Sequence, residues 1–292
     1  MQSYSFLEFL ARQGHRIIET ESSYWYDAQK GFYFYFPYHR LITPDKEEIQ
    51  LLLLREHCLG VRYFTSMDHI GKESYMIVCT DKNYDFESLD PHSARRETRK
   101  GLENVAIRQM EICELAARVS ELYQDTLIRQ GRTPFRQAEK KWKLYCSSAE
   151  GLEGFEAWGA FTGNNPAAFM MTYQMEDHFT ILLQSSATKY LALYPNNALV
   201  FSVTKLKLAS PDVNAVYYGP QSLDAPESLD KFKFRMGFQK RPIKQAIVFN
   251  PVIRPFINGF MQKSIHLISS ILPKSDTFRK IEGLVRFYRE ST

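Results

Sequence analysis

Lys233 lies in the run Leu229-Asp230-Lys231-Phe232-Lys233-Phe234-Arg235-Met236-Gly237-Phe238. On a helix turning about 100° per residue, Leu229, Phe232 and Met236 fall at about 0°, 300° and 340° and form one apolar face. Lys233 falls at about 40°, at the edge of that face, whereas Lys231 and Arg235 point away at about 200° and 240°. A lysine so placed can hold its ammonium in a cleft, opposite an anion or a developing oxyanion. The other reading has its stem lying along the apolar stripe while the amine reaches water. Spacing alone leaves both open.

Three other groups have chemistry of their own. The turn Tyr194-Pro195-Asn196-Asn197-Ala198 stands between a predicted strand and a predicted helix. Free N–H groups at such a helix start attract phosphate, although Asn there also serves as an ordinary cap. Arg95 and Arg99 lie four apart on one helical face, where they can grip a carboxylate or simply face water. Tyr217 and Tyr218 end a strand before Gly219-Pro220; one phenol could protonate a leaving group, and strand-end tyrosines also serve as packing.

The elements that must carry these residues are readable from pattern. The aromatic run within Gly31–Arg40 predicts a strand, Glu47–Glu56 a helix opened by Thr43-Pro44-Asp45, and Val61–Thr65 and Tyr75–Cys79 two short strands. A basic helix begins at His92, Glu111–Arg129 reads as one long amphipathic helix, and Gln130–Lys143 as a polar connector. Strands follow at Gly154–Thr162, Ala167–Gln174 and Phe179–Ser185, then a helix at Asn197–Ala209 and a strand at Val213–Tyr218. A helix at Pro226–Met236 with Gly237 as its C-terminal glycine and a strand at Lys244–Phe249 complete the series.

Composition narrows the field. Of 292 residues, 44% are hydrophobic and 24% charged, which excludes a disordered, collagenous or coiled-coil chain. The net charge of +4 lies wholly in residues 251–292, leaving residues 1–250 balanced and arguing against a DNA-binding body. That tail carries Ile253, Ile257, Phe260, Met261, Ile265, Ile268 and Leu272 at helical spacing, with a second short helix after Pro273. It packs on its own domain or makes peripheral contact with an anionic membrane face. Cys58, Cys79, Cys113 and Cys146 form no CxxC pair, so a reducing, cytoplasmic setting and no metal are expected. No secretory signal pattern and no long apolar span is legible. The P-loop, dinucleotide, serine-hydrolase and zinc-protease motifs are all missing.

Residues 86–250 resemble the GNAT acyltransferase superfamily, most closely its Fem-like, acetyltransferase-like branch. The residues that carry the likeness are Ser93-Ala94-Arg95-Arg96-Glu97-Thr98-Arg99-Lys100, Leu122-Tyr123-Gln124-Asp125-Thr126, and Leu229…Phe232-Lys233…Met236-Gly237-Phe238. The resemblance implies an α/β fold with a GNAT-like mixed sheet flanked by helices. It implies a shortened GNAT-like half at 1–90, an acyltransferase domain at 91–250 and a helical tail at 251–292. It further implies N-acyl transfer, such as N-acetyl transfer, from acetyl-CoA, another acyl-CoA or a charged tRNA to an amine acceptor, a small molecule or a cell-envelope precursor. Lys233 and Tyr218 would then be catalytic. Ser185, Ser186, Pro195, Asn196, Asn197 and Ala198 would hold the donor, and Arg95 and Arg99 the acceptor. Leu191-Ala192-Leu193-Tyr194-Pro195-Asn196-Asn197 replaces the glycine-rich pyrophosphate loop of many GNAT enzymes, so a catalytically silent binding or scaffold protein is the competing expectation. An open V between the strands ending at Ser185 and Tyr218 is what an enzyme requires.

Overall fold

The computed structural model describes residues 2–29, 31–129, 138–221, 227–257 and 276–289. Its contacts gather into two compact units. The first takes Met1–Phe9, Ile77–Gly219 and Glu227–Lys240; the second takes Leu10–Met76, Pro220–Pro226 and Arg241–Thr292. Strands Lys72–Cys79 (β5) and Gln239–Phe249 (β11) each contain a boundary. Each unit is therefore assembled from separate stretches of sequence.

In the second unit, β1 (Ile17–Glu19), β2 (Tyr24–Gln29) and β3 (Phe32–Phe36) form an antiparallel run, with Glu19 opposite Tyr24 and Tyr24 opposite Phe36. β3 then pairs in parallel with β4 (Gly60–Thr65), and β4 pairs antiparallel with β11, Thr65 facing Lys244. Helix α2 (Lys46–Arg55) is the crossover between β3 and β4. The Asp45 carboxylate caps it, accepting from the Glu48 N–H at 2.7 Å, and Ile49, Leu52 and Leu53 are its buried side. The aromatics of β3 are buried on both faces, as a central strand requires. A last helix, Asp276–Arg289, places Leu284, Val285 and Phe287 in a core with Phe32, Ile247 and Phe249. The tail stripe predicted over 252–272 falls mostly outside the described residues, as does Pro226.

The first unit is built on β6 (Ala106–Met110), β7 (Phe155–Thr162), β8 (Asn165–Met175), β9 (His178–Ser186) and β10 (Ala215–Pro220). β6 to β9 are antiparallel neighbours, and β9 pairs with β10 in parallel. The parallel step needs a crossover, supplied by α7 (Pro195–Leu208), which buries Ala198, Leu199, Val200, Phe201 and Val203. Helix α3 (His92–Asn104) packs on α7 at Gly101, where an added Cβ would stand 2.6 Å from the Tyr194 carbonyl oxygen. Helix α1 (Gln2–Arg12) contributes Phe6 and Phe9, whose rings meet Phe155 at 5.9 and 4.7 Å.

Two expectations are corrected here. Residues 111–129 are not one helix: α4 (Ile112–Arg118) and α5 (Ser120–Arg129) meet at Val119, which leaves the helical region at φ −122°, ψ 7°. α4 packs on β7 and α5 on β9, and Val119 is fully buried at the joint, so a bend serves both contacts where a straight rod would not. Nor is 130–143 a polar connector throughout, because α6 spans Ala138–Ala149 and buries Trp142, Cys146 and Ala149. Lys140, Lys141 and Lys143 mask that i, i+4, i+7 apolar row in a composition reading. α1, β1, β2 and β6 were not anticipated at all.

Gly237 ends helix α8 (Glu227–Arg235) at φ +82°, and a Cβ there would lie 2.6 Å from the Ser88 carbonyl oxygen. Because that atom is backbone and the conformation is left-handed, Gly237→Ala is expected to cost about 2–3 kcal/mol. Urea unfolding followed by near-UV circular dichroism checks it, and an unchanged midpoint would refute the assignment.

Candidate functional site

The site grows from the point where β9 and β10 part. Their ladder joins His178, Phe179 and Thr180 to Ala215, Val216 and Tyr217 and goes no further among the described residues. β9 instead continues beside β8 to Ser186 through a bulge at Leu182: Ile181 faces Thr172, Leu183 faces Met171 and Leu182 is the extra residue. A bulge bends its strand and re-aims the side chains beyond it. Gln184 and Ser186 thus share one face of β9, while Tyr218 extends from the end of the β10 ladder.

These residues form a directional hydrogen-bond chain. The Tyr218 hydroxyl donates to Gln184 Oε1. Gln184 Nε2 donates to Asn196 Oδ1 at 3.0 Å, and Asn196 Nδ2 donates to Ser186 Oγ at 2.9 Å. Arg129, on the last turn of α5, donates to the same Oγ at 3.2 Å and to the Ser186 carbonyl at 3.0 Å. The Thr126 hydroxyl adds a 2.9 Å bond to that carbonyl and accepts from the Ser186 N–H at 3.1 Å. At the other end, the Lys233 ammonium stands 5.1 Å from the centre of the Tyr218 ring and 3.1 Å from Asp230 Oδ1. Lys233 and Asp230 side chains are 16% and 10% exposed, so this cation is held within the structure, and the snorkelling alternative does not describe it.

Burial pushes the Tyr218 phenol well above its ordinary value. A raised phenol keeps its proton, so Tyr218 acts as a hydrogen-bond donor throughout the neutral range. An ordinary phenol would bring a falling limb near pH 10. Here no such limb is expected from Tyr218 up to pH 10, and a pH–rate profile compared with Tyr218→Phe would expose one.

Charge is balanced along the chain. Lys233 faces Asp230, and Arg129 lies 3.9 Å from Asp125. Such a site polarises a neutral carbonyl more readily than it concentrates a polyanion. The start of α7 points the same way. Tyr194 sits in the left-handed region (φ 53°, ψ 44°), Pro195 has no N–H to offer, and Pro195, Asn197 and Ala198 are buried. Asn197 reaches Met236 Sδ at 3.6 Å. Ser185 is 2% exposed with its hydroxyl unpartnered, and Ser186 is fully buried.

The structure therefore brings Ser186, Asn196, Tyr218 and Lys233 into one network. Arg95 and Arg99 are engaged elsewhere: Arg95 bonds the Leu89 carbonyl at 2.9 Å and Glu87 at 2.7 Å, and Arg99 lies over the Phe86 ring at 4.9 Å. Gln184 and Arg129 were missed. Gln184 carries a weak signal as the first polar residue after Ile181-Leu182-Leu183, and Arg129 stands three and four residues after Thr126 and Asp125. Among the described residues no group of three His, Cys, Asp or Glu could hold a metal, and no helix is long and apolar enough to cross a membrane. All four cysteines are free thiols, with Cys113 exposed.

No family model and no curated protein matches the sequence. Likeness is found in three dimensions. FemX is similar over 86% of this chain and 92% of its own, at 9% identity and a TM-score of 0.57. A C-terminal DUF2156 domain from Agrobacterium fabrum covers 84% and 88% at 10% identity and 0.56. L-PGS from Bacillus licheniformis covers 83% and 87% at 11% identity and 0.50. At such identities the likeness is one of fold: a mixed α/β fold with a large mixed sheet flanked by helices, shared with these three proteins.

Proposed function

We propose that this chain is an N-acyltransferase that moves an acyl or aminoacyl group from an activated donor to an amine by direct attack. The observation that supports it most is the parting of β9 and β10 after three pairs, where Tyr218, beside Lys233, reaches across to the Gln184–Asn196–Ser186–Arg129 chain. The amine nitrogen forms a bond to the acyl carbon, and the carbonyl oxygen becomes an oxyanion that the Lys233 ammonium stabilises. Collapse expels the thiolate or ribose alkoxide, which takes the Tyr218 proton, and the surplus proton on the former amine nitrogen returns to the phenolate, leaving a neutral amide and the protonated leaving group. The donor is an acyl-CoA such as acetyl-CoA, or a charged tRNA. The names FemX and L-PGS on similar folds support an amine on a cell-envelope precursor as acceptor.

The paired charges and the glycine-free start of α7 favour a second reading, a silent GNAT-like binding protein. Purified chain titrated with acetyl-CoA and with aminoacyl-tRNA, followed by thermal shift, separates them. Saturable stabilisation by one donor supports the enzyme; stabilisation by neither supports the binding protein.

A further inference from the structure

The second unit contains a cavity of about 680 Å³ that the acyl-transfer reading does not use. Its walls are Ile49 and Leu53 of α2, Tyr63 and Thr65 of β4, Val248 and Phe249 of β11, and Tyr288 of the last helix. The size is that of a small-molecule site. Register explains the floor: Tyr63 and Thr65 alternate onto one face of β4, and Val248, opposite Val61, lies on the same face of β11. α2 crosses that face, as its buried Ile49 and Leu53 indicate.

Two features distinguish this cavity from loose packing. Thr65 is among the lining residues and only 1% exposed, and its hydroxyl has no hydrogen-bond partner. A buried hydroxyl left unpaired is unfavourable, and a ligand atom that enters beside Thr65 relieves it. The rim also carries Lys46 and Arg254, both exposed and without an anionic partner among the described residues, together with His69. Asp45, the one carboxylate there, is occupied in capping α2.

We infer that this cavity binds a single-chain anionic amphiphile, a carboxylate of the fatty-acid class. Its hydrocarbon chain lies against Ile49, Leu53, Tyr63 and Val248, and its head is held by Lys46 and Arg254 with Thr65 as a polar contact. The apolar walls select the chain, and the unpaired cations at the rim select the sign of the head.

The test is calorimetric titration of the full-length chain with dodecanoate, with dodecyltrimethylammonium and dodecanol as head-group controls. One saturable site for dodecanoate is expected, with at least tenfold weaker binding of both controls. Arg254→Glu combined with Lys46→Glu should weaken dodecanoate at least tenfold. Thr65→Val should weaken it severalfold while leaving the melting temperature of the ligand-free protein unchanged or higher, because the lost hydroxyl had no partner. Lys233→Ala should bind dodecanoate as the unaltered chain does, so failure here and failure of the acyl-transfer reading remain distinguishable. Absence of a saturable site, equal binding of the cationic amphiphile, or indifference to the double charge reversal would overturn the inference.

Discussion

Lys233→Ala should lower kcat/KM for acyl transfer by about 100-fold or more, the loss typical of removing one group that meets a developing oxyanion. The ammonium is fixed by Asp230 at 3.1 Å and by the face of Tyr218, so little reorganisation is needed as charge develops on the substrate. Lys233→Arg keeps the charge but replaces a compact point with a wide planar fork, and should recover little. Tyr218→Phe tests the neighbouring role. If the phenol assists the leaving group, the loss should be greater for an aminoacyl ester, whose alkoxide is strongly basic, than for a thioester. Equal losses for both would reduce Tyr218 to packing against Phe238, whose ring lies 5.2 Å away.

The largest stability effect is expected from Lys207→Met. Lys207, in the last turn of α7, pairs with Glu156 on β7, and both side chains are mostly covered, at 14% and 20% exposure. Its ammonium also lies 4.8 Å from the centre of the Phe179 ring, and Trp158 Nε1 donates to the second Glu156 oxygen at 2.9 Å. Removing the lysine leaves a largely buried carboxylate with one neutral donor, a loss of about 3 kcal/mol. For a chain of this size that corresponds to a fall in melting temperature of about 5 °C. Adding Glu156→Leu should recover most of it, because an apolar pair replaces an ion pair at little net cost. A single variant that melts as the parent does would show that the pair contributes only surface electrostatics. The consequence for the site is direct, since the same helix carries Asn196 at its opposite end.

Much of the frame was legible because it depends on local pattern. The aromatic row of β3, the Asp45 cap of α2, the turn at Gly163 and the strand-to-helix step at Pro195 all follow from side-chain type and turn chemistry. The elements that escaped notice lack such markers. β1 has only three residues, β6 is a mostly exposed edge, and the apolar row of α6 is diluted by lysines. The break at Val119 could not be read from periodicity, because Leu115, Val119 and Leu122 continue the helical spacing across it.

The site was half legible for a similar reason. Lys233 could be placed beside an apolar face from a single helix, and Tyr218 at a strand end from a single strand. Gln184 and Arg129 acquire meaning only when β9 bends at Leu182 and α5 is set against it, which are tertiary events. The basic pair Arg95 and Arg99 illustrates the converse. Its spacing suited an anion, yet Arg95 is bonded to Glu87 and Arg99 lies over the Phe86 ring, partners fewer than fifteen residues away.

Direct transfer to an amine is tested most plainly with an isotope-labelled acyl group. The full-length chain is supplied with labelled aminoacyl-tRNA or labelled acetyl-CoA and a panel of amines, and both the small products and the intact protein are weighed by mass spectrometry. Direct transfer predicts label in an amide product, protein of unaltered mass at every time point, and loss of product with Lys233→Ala. Label on the protein itself, or no amide from either donor, would contradict it.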